Sequence, residues 1–292
     1  MVPIASIPRQ RHSRRNSVMN RRNILAFAAS YPLLACGASA KAAARLWRRE
    51  RIITAGLSSP VGMGLDSEGR LVVANWSAGT VIRVTQDGKT TALATGLSGP
   101  SGLAIAANGD IFVASYNEDL VWRISAAGGK PEVFVRGLST PAGISFDNRG
   151  KLLIANRRTN QILAVDPAGK HSVAVEGELQ TPVGAVQMPD GGYFVSNIDG
   201  GVSCAGPDGR ARTVSRDFVS PGPGIAVADA GSVYVVDYGG TEVKQVHKDG
   251  TTHVVAAGFR SPTGIALSAD RRRAVVTDWG SNAAYEMSIG AG

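Results

Sequence analysis

The feature that most constrains this chain is a glycine that returns every forty residues. Gly62, Gly102, Gly143, Gly184, Gly224 and Gly264 are spaced by 40, 41, 41, 40 and 40 residues. A period of that length means one supersecondary unit in tandem, each copy unable to bury its apolar face alone. In five of the six copies a proline stands two residues ahead of the glycine: Pro60, Pro100, Pro141, Pro182 and Pro262. The fifth copy reads Ser220-Pro221-Gly222-Pro223-Gly224, which displaces the prolines by one and predicts a turn of different build.

Inside each copy the apolar pattern has period two. A short run follows the Pro-x-Gly, as in Met63–Leu65 or Leu103–Ile105, and then a turn such as Asn108-Gly109. A second run comes next, as in Leu71–Ala74, Ile111–Ala114 and Leu152–Ala155. The third run, for example Val81–Val84, leads through a turn such as Asp87-Gly88 to a fourth, for example Glu132–Val135. Glycine turns between alternating runs are hairpin signals, and no stretch of the repeats sustains a helical period. Four antiparallel strands per copy predict an all-β fold, a six-bladed β-propeller in which every blade is buried between two neighbours. The recurring glycine is read as structural, through positive φ or close backbone approach.

The sixth copy stops after its third strand, Ala283–Ile289, with only Gly290-Ala291-Gly292 beyond. Arg51–Ala55, just before the first copy, has the composition of the missing strand. An N-terminal strand is therefore expected to complete the last blade and close the ring, removing two open sheet edges. The domain reading is 1–40 leader, 41–50 linker and 51–292 propeller.

Charge supports this division. The net charge is +8, yet residues 1–50 hold ten Lys/Arg and one acid, Glu50, which leaves 21 basic against 22 acidic residues afterwards. The repeats thus lack the whole-domain basic surface that nucleic acid binding requires, and nucleic acid is excluded as a partner. Arg21-Arg22-Asn23-Ile24-Leu25 opens an apolar stretch to Ala35 that is too short to span a bilayer and resembles a twin-arginine export signal. Met19 is an alternative start. Two processing sites compete: Leu33-Leu34-Ala35-Cys36 resembles a lipobox, and Ala38-Ser39-Ala40 is a small-x-small site. Either predicts an exported protein, periplasmic or membrane-anchored through a lipid on Cys36. With Cys36 in the leader, Cys204 has no partner for an intrachain disulfide.

Units of the form Gly-Leu-x-x-Pro-x-Gly, with a second strand ending in Ala-Asn or Val-Asp, resemble NHL-repeat six-bladed propellers over residues 51–292. The wider group that the chain resembles includes gluconolactonase and senescence-marker lactonases, strictosidine synthase and streptogramin lyase. The likeness implies a scaffold more than an activity, because one such fold hosts several chemistries.

In such a blade the Pro-x-Gly turns and the ends of the second strands share one rim. The second strands end in Asn75, Ser115, Asn156, Asn197, Asp237 and Asp278. Short polar side chains there bond to the backbone of their own turns, or supply oxygens to a hard cation. The next residues are Trp76, Tyr116, Arg157, Ile198, Tyr238 and Trp279. Four are Trp or Tyr, of ten in the chain, and the blades that carry them are neighbours around the ring. Trp76, Tyr116, Arg157, Tyr238 and Trp279 are therefore the candidate binding arc for a small molecule, glycan or peptide.

Enzyme chemistry is left open, with binding favoured and no catalytic residue assigned. The lactonases that the chain resembles hold a divalent cation at the channel mouth, typically with a Glu near the start of the first blade. Here Pro60-Val61-Gly62-Met63-Gly64 has no acid. On the lactonase reading the metal ligands would be Asn75, Asn156, Asn197, Asp237 and Asp278, with a cation such as Ca²⁺ as the cofactor; the binding reading needs none. His171, His247 and His253 fall in or beside outer strands, away from the place a lyase needs them. Cys204 reads as a packed side chain, and Arg271-Arg272-Arg273 as a loop on the opposite face. A protein-docking platform is the third reading, and a monomer is expected.

Overall fold

The structure, a computed structural model, describes residues 46–290. The twin-arginine-like segment, Cys36 and both processing sites lie outside the described residues. The described residues form 24 strands arranged as six antiparallel meanders of four. Four meanders stand as separate sheets, and the third and fourth are joined in one eight-stranded sheet. The join is a short parallel pairing of Glu176 with Arg210 and Gly177 with Ala211, between outer strands His171–Gly177 and Arg210–Ser215. The fold is all-β and its arrangement is propeller-like.

Second strands such as Leu71–Asn75 and Ile111–Ser115 are buried at every residue, because both faces of a meander meet a neighbour. The core is accordingly divided into clusters between consecutive units. Val72, Ala74 and Val81 of the first pack with Val113 and Ile124 of the second. Another cluster sets Val275 and Ala284 of the last unit against Met63, Val73 and Val84 of the first. At about 1.5–3 kcal/mol per buried aliphatic side chain, these contacts between units carry most of the stabilisation.

Close approach, and not positive φ, accounts for the recurring glycine. A Cβ at Gly62 would lie 2.3 Å from the Ser101 carbonyl oxygen, at Gly102 2.2 Å from that of Ala142, and at Gly143 2.3 Å from that of Val183. Gly184 meets Pro223 O at 2.4 Å, Gly224 meets Thr263 O at 2.8 Å, and Gly264 meets Val61 O at 2.6 Å. Each first strand thus presses its glycine onto the backbone of the next, and the last presses on the first.

The N-terminal strand is Arg48–Ile53, paired antiparallel with Ala284–Ser288 as the fourth strand of the last unit. It begins inside the stretch read as a 41–50 linker, so residues 47–50 belong to the fold. Trp47 is 7% exposed, packs edge-on against Tyr234 at 4.7 Å, and donates its amide to Val255 O at 2.7 Å. The Arg49 guanidinium lies 4.1 Å from the centre of the Tyr285 ring. Arginine can cover an aromatic ring while its charge stays wet, so a charged run can serve as an edge strand.

The fifth unit is built as its sequence predicts. Pro221 pairs with Asp237 as Pro60 pairs with Asn75, Gly222 is the added residue, and Pro223 takes the place that Val61 has in the first unit.

Candidate ligand-binding site

The six polar residues that end the second strands are all buried. Asn75 Oδ1 accepts from the Ser58 amide at 3.0 Å, Asn156 Oδ1 from Ser139 at 2.7 Å, and Asn197 Oδ1 from Gln180 at 3.1 Å. Asp237 accepts from Ser220 at 2.9 Å and Val219 at 3.1 Å. Asp278 accepts from Arg260 at 2.8 Å, Ser261 at 2.9 Å and Gly280 at 3.0 Å. Ser115 reverses the polarity and donates to Ser98 O at 2.7 Å. These oxygens anchor the turn that leads into their own unit. The structure brings none of the five residues read as metal ligands into the rim cavity, and their bonds to backbone amides are the reason.

That anchoring sets the next residue in place. Backbone amides of Trp76, Tyr116, Arg157, Ile198 and Trp279 donate to the carbonyls of Ser59, Gly99, Thr140, Thr181 and Ser261 at 2.9–3.3 Å. In the fifth unit the bond moves to Gly239, which donates to Ser220 O at 3.1 Å, following the added Gly222.

The six side chains so positioned converge on a cavity of about 250 Å³. Its other lining residues are Val61, Ser101, Ala142, Val183, Pro223 and Thr263, the residues between the proline and the recurring glycine in each unit. Two repeat positions therefore build the whole lining. All five residues of the expected arc line it, although Tyr238 makes no aromatic pair with the others. Trp76 lies 5.2 Å from Tyr116 in an edge-on pair and 6.0 Å from Trp279 in a tilted one. Arg157 Nη1 donates to the Tyr116 hydroxyl at 2.6 Å, a contact across 41 residues that sequence spacing alone does not show. Arg157 is the one charged lining residue, and neither carboxylate nor imidazole is among the twelve.

Two clefts of about 540 and 570 Å³ lie at first-to-second-strand turns between pairs of units, lined by Asp66–Gly69 with Asp270 and by Asn108 with Asp147. Neither gathers side chains from all six units. His247 and His253 face each other at 5.9 Å on an outer pair of strands and do not line the rim cavity. Among the described residues no group of three His, Cys, Asp or Glu is placed to hold a metal ion. Cys204 is a free, half-buried thiol packed beside the fourth and fifth units' core. Arg271 donates to Val227 O and Ala228 O, tying part of the arginine run to the fifth unit.

No family model and no curated relative matches the chain. Solved structures do. A gluconolactonase from Xanthomonas campestris superposes with TM-score 0.71 at 15% identity, covering 84% of this chain and 95% of that one. Virginiamycin B lyase from Staphylococcus aureus gives 0.63 at 14%, covering 82% and 99%. The PQQ-bound aldose sugar dehydrogenase of Streptomyces coelicolor gives 0.67 at 18%, covering 83% and 97%. At these identities the likeness is one of fold, an all-β, propeller-like arrangement.

Proposed function

We propose that this chain is an exported, monomeric six-bladed propeller of NHL type whose rim cavity binds a small molecule, glycan or peptide. The eight-stranded sheet counts as two blades, touching at their outer strands. The leader directs export, to the periplasm or to a membrane through a lipid on Cys36.

One observation carries the binding reading: twelve side chains from all six units converge on an aromatic, largely apolar cavity. Flat rings with polar edges contribute about 0.5–1.5 kcal/mol per stacked contact beyond the area they bury. The same lining supports binding over hydrolysis, since it offers no His or carboxylate to move a proton. Gluconolactonase, lyase and dehydrogenase neighbours show that related scaffolds carry chemistry, but a cation-dependent lactonase needs free carboxylates at the mouth. Asp237 and Asp278 are occupied with backbone amides.

The test is Trp76→Ala and Trp279→Ala, assayed for binding against a panel of aromatic metabolites, oligosaccharides and short peptides. Each variant is expected to lose at least about tenfold in affinity with its melting temperature nearly unchanged. Wild-type affinity in both variants removes the rim from consideration.

A further inference from the structure

Arg157 is a half-buried cation with an unusual set of partners. Nη1 donates to the Tyr116 hydroxyl at 2.6 Å, while Nε is buried with no hydrogen-bond partner among the described residues. Among the described residues no carboxylate lines the rim cavity, and none lines the groove that shares Tyr116 and Arg157 with it and runs over Thr140 and Arg158. The guanidinium, 5.3 Å from the centre of the Tyr116 ring, thus has no ion-pair partner among the described residues, and a second arginine lies on its outer side. An unpaired donor of this kind costs free energy that an anionic acceptor would recover.

Tyr116 adds a second donor. Its hydroxyl accepts from Arg157, so its own proton remains to be given to another acceptor. The adjoining chamber wall is made of Trp76, which meets the Tyr116 ring at 5.2 Å. A flat apolar body against the indole would therefore place an anionic substituent at the Arg157–Tyr116 edge. Nε and Nη2 lie on one edge of the guanidinium, a fork whose geometry matches a carboxylate.

We infer that the ligand of the rim cavity is an aromatic or otherwise flat apolar molecule bearing a carboxylate, with Arg157 and Tyr116 as the carboxylate-recognising pair. This inference rests on the binding reading above and narrows its ligand class.

The experiment uses the purified full chain and matched acid and amide probes: indole-3-acetate with indole-3-acetamide, and 4-hydroxyphenylacetate with its amide. Affinities are measured by calorimetry in wild type, Arg157→Met, Arg157→Lys and Tyr116→Phe. In wild type each acid is expected to bind about tenfold or more tighter than its amide, the discrimination expected of charge-assisted bonds. Arg157→Met abolishes that preference, Arg157→Lys restores part of it, and Tyr116→Phe reduces it, each read as the acid-to-amide ratio within one variant. Equal binding of acid and amide by wild type overturns the inference and leaves the binding reading intact. Failure of every acid and every amide to bind likewise overturns the inference, and the binding reading is then decided by the oligosaccharide and peptide panel above. Because the acid-to-amide ratio is read first in wild type, the result does not depend on how the variants fold.

Discussion

The amide of Ser59 donates to the side-chain oxygen of Asn282 at 2.6 Å, a bond between the first unit and the last across 223 residues. Equivalent bonds run from the Thr140 amide to Asp119 at 2.6 Å and from the Thr181 amide to Asn160 at 2.8 Å. In each, the acceptor side chain sits on a left-handed residue of the preceding unit, with φ 49° at Asn282. Asparagine and aspartate suit both demands, tolerating that conformation while offering an oxygen. Asn282→Ala is therefore expected to destabilise by about 1–2 kcal/mol through the left-handed backbone, plus the lost bond. Asn282→Gly, which relieves the backbone, should cost only the bond, about 0.5–1.5 kcal/mol. Chemical denaturation that ranks glycine below alanine would contradict this assignment.

Two glycines of one strand give a sharper contrast. A Cβ at Gly62 meets Ser101 O at 2.3 Å and Leu103 N at 2.4 Å, whereas one at Gly64 meets only side-chain atoms, the nearest being Ile105 Cδ1 at 3.1 Å. Backbone cannot move aside as a side chain can. Gly62→Ala should cost at least about 1–3 kcal/mol and Gly64→Ala clearly less, read as the difference in urea midpoints. Equal midpoints would show that the first strands are not packed backbone to backbone.

Trp47 tests the sealing strand. Its ring lies against Tyr234 and its amide reaches Val255, both in the fifth unit, while the strand that follows it completes the sixth. Trp47→Ala is expected to lower stability by about 3–5 kcal/mol, as for other buried aromatic truncations. A chain beginning at residue 54 should melt far below one beginning at residue 46. Coincident melting curves for those two truncations would contradict the role assigned to Arg48–Ile53.

Asp66 gives a pH dependence. Burial alone would raise its pKa, but the hydrogen bond from Arg70 and the backbone amides of Arg70 and Glu68 outweigh that and hold it below the ordinary carboxylate range. A depressed folded-state pKa means stability that is present above the unfolded value and is lost as pH falls through the folded one. Asp66→Asn should destabilise by about 1–3 kcal/mol at pH 7 and flatten the acid limb of the stability curve below pH 4. An unchanged acid limb in this variant would contradict the assignment.

Much of this was legible in the sequence because it repeats. Val61, Ser101 and Trp76 line one cavity since each occupies a fixed offset from a recurring proline or glycine, and an offset can be read from one strand of text. The start of the sealing strand was hidden, because Arg48-Arg49-Glu50 looks like solvated chain until Arg49 is seen lying over Tyr285. Asn75 and Asp278 had two uses open to them, and only the amides of Ser58 and Ser261 decide for turn anchoring. The Glu176–Arg210 pairing joins two units at a place no pattern marks, and the repeat puts Tyr116 and Arg157 in one arc without showing the bond between them.

The rim cavity is proposed as the place where this propeller meets its ligand. A crystal soaked with a library of small aromatic and sugar fragments tests it most directly. The prediction is that bound fragments accumulate between Trp76, Trp279 and Arg157. Fragments that bind repeatedly in the clefts of the opposite face, with none among those three side chains, would contradict it.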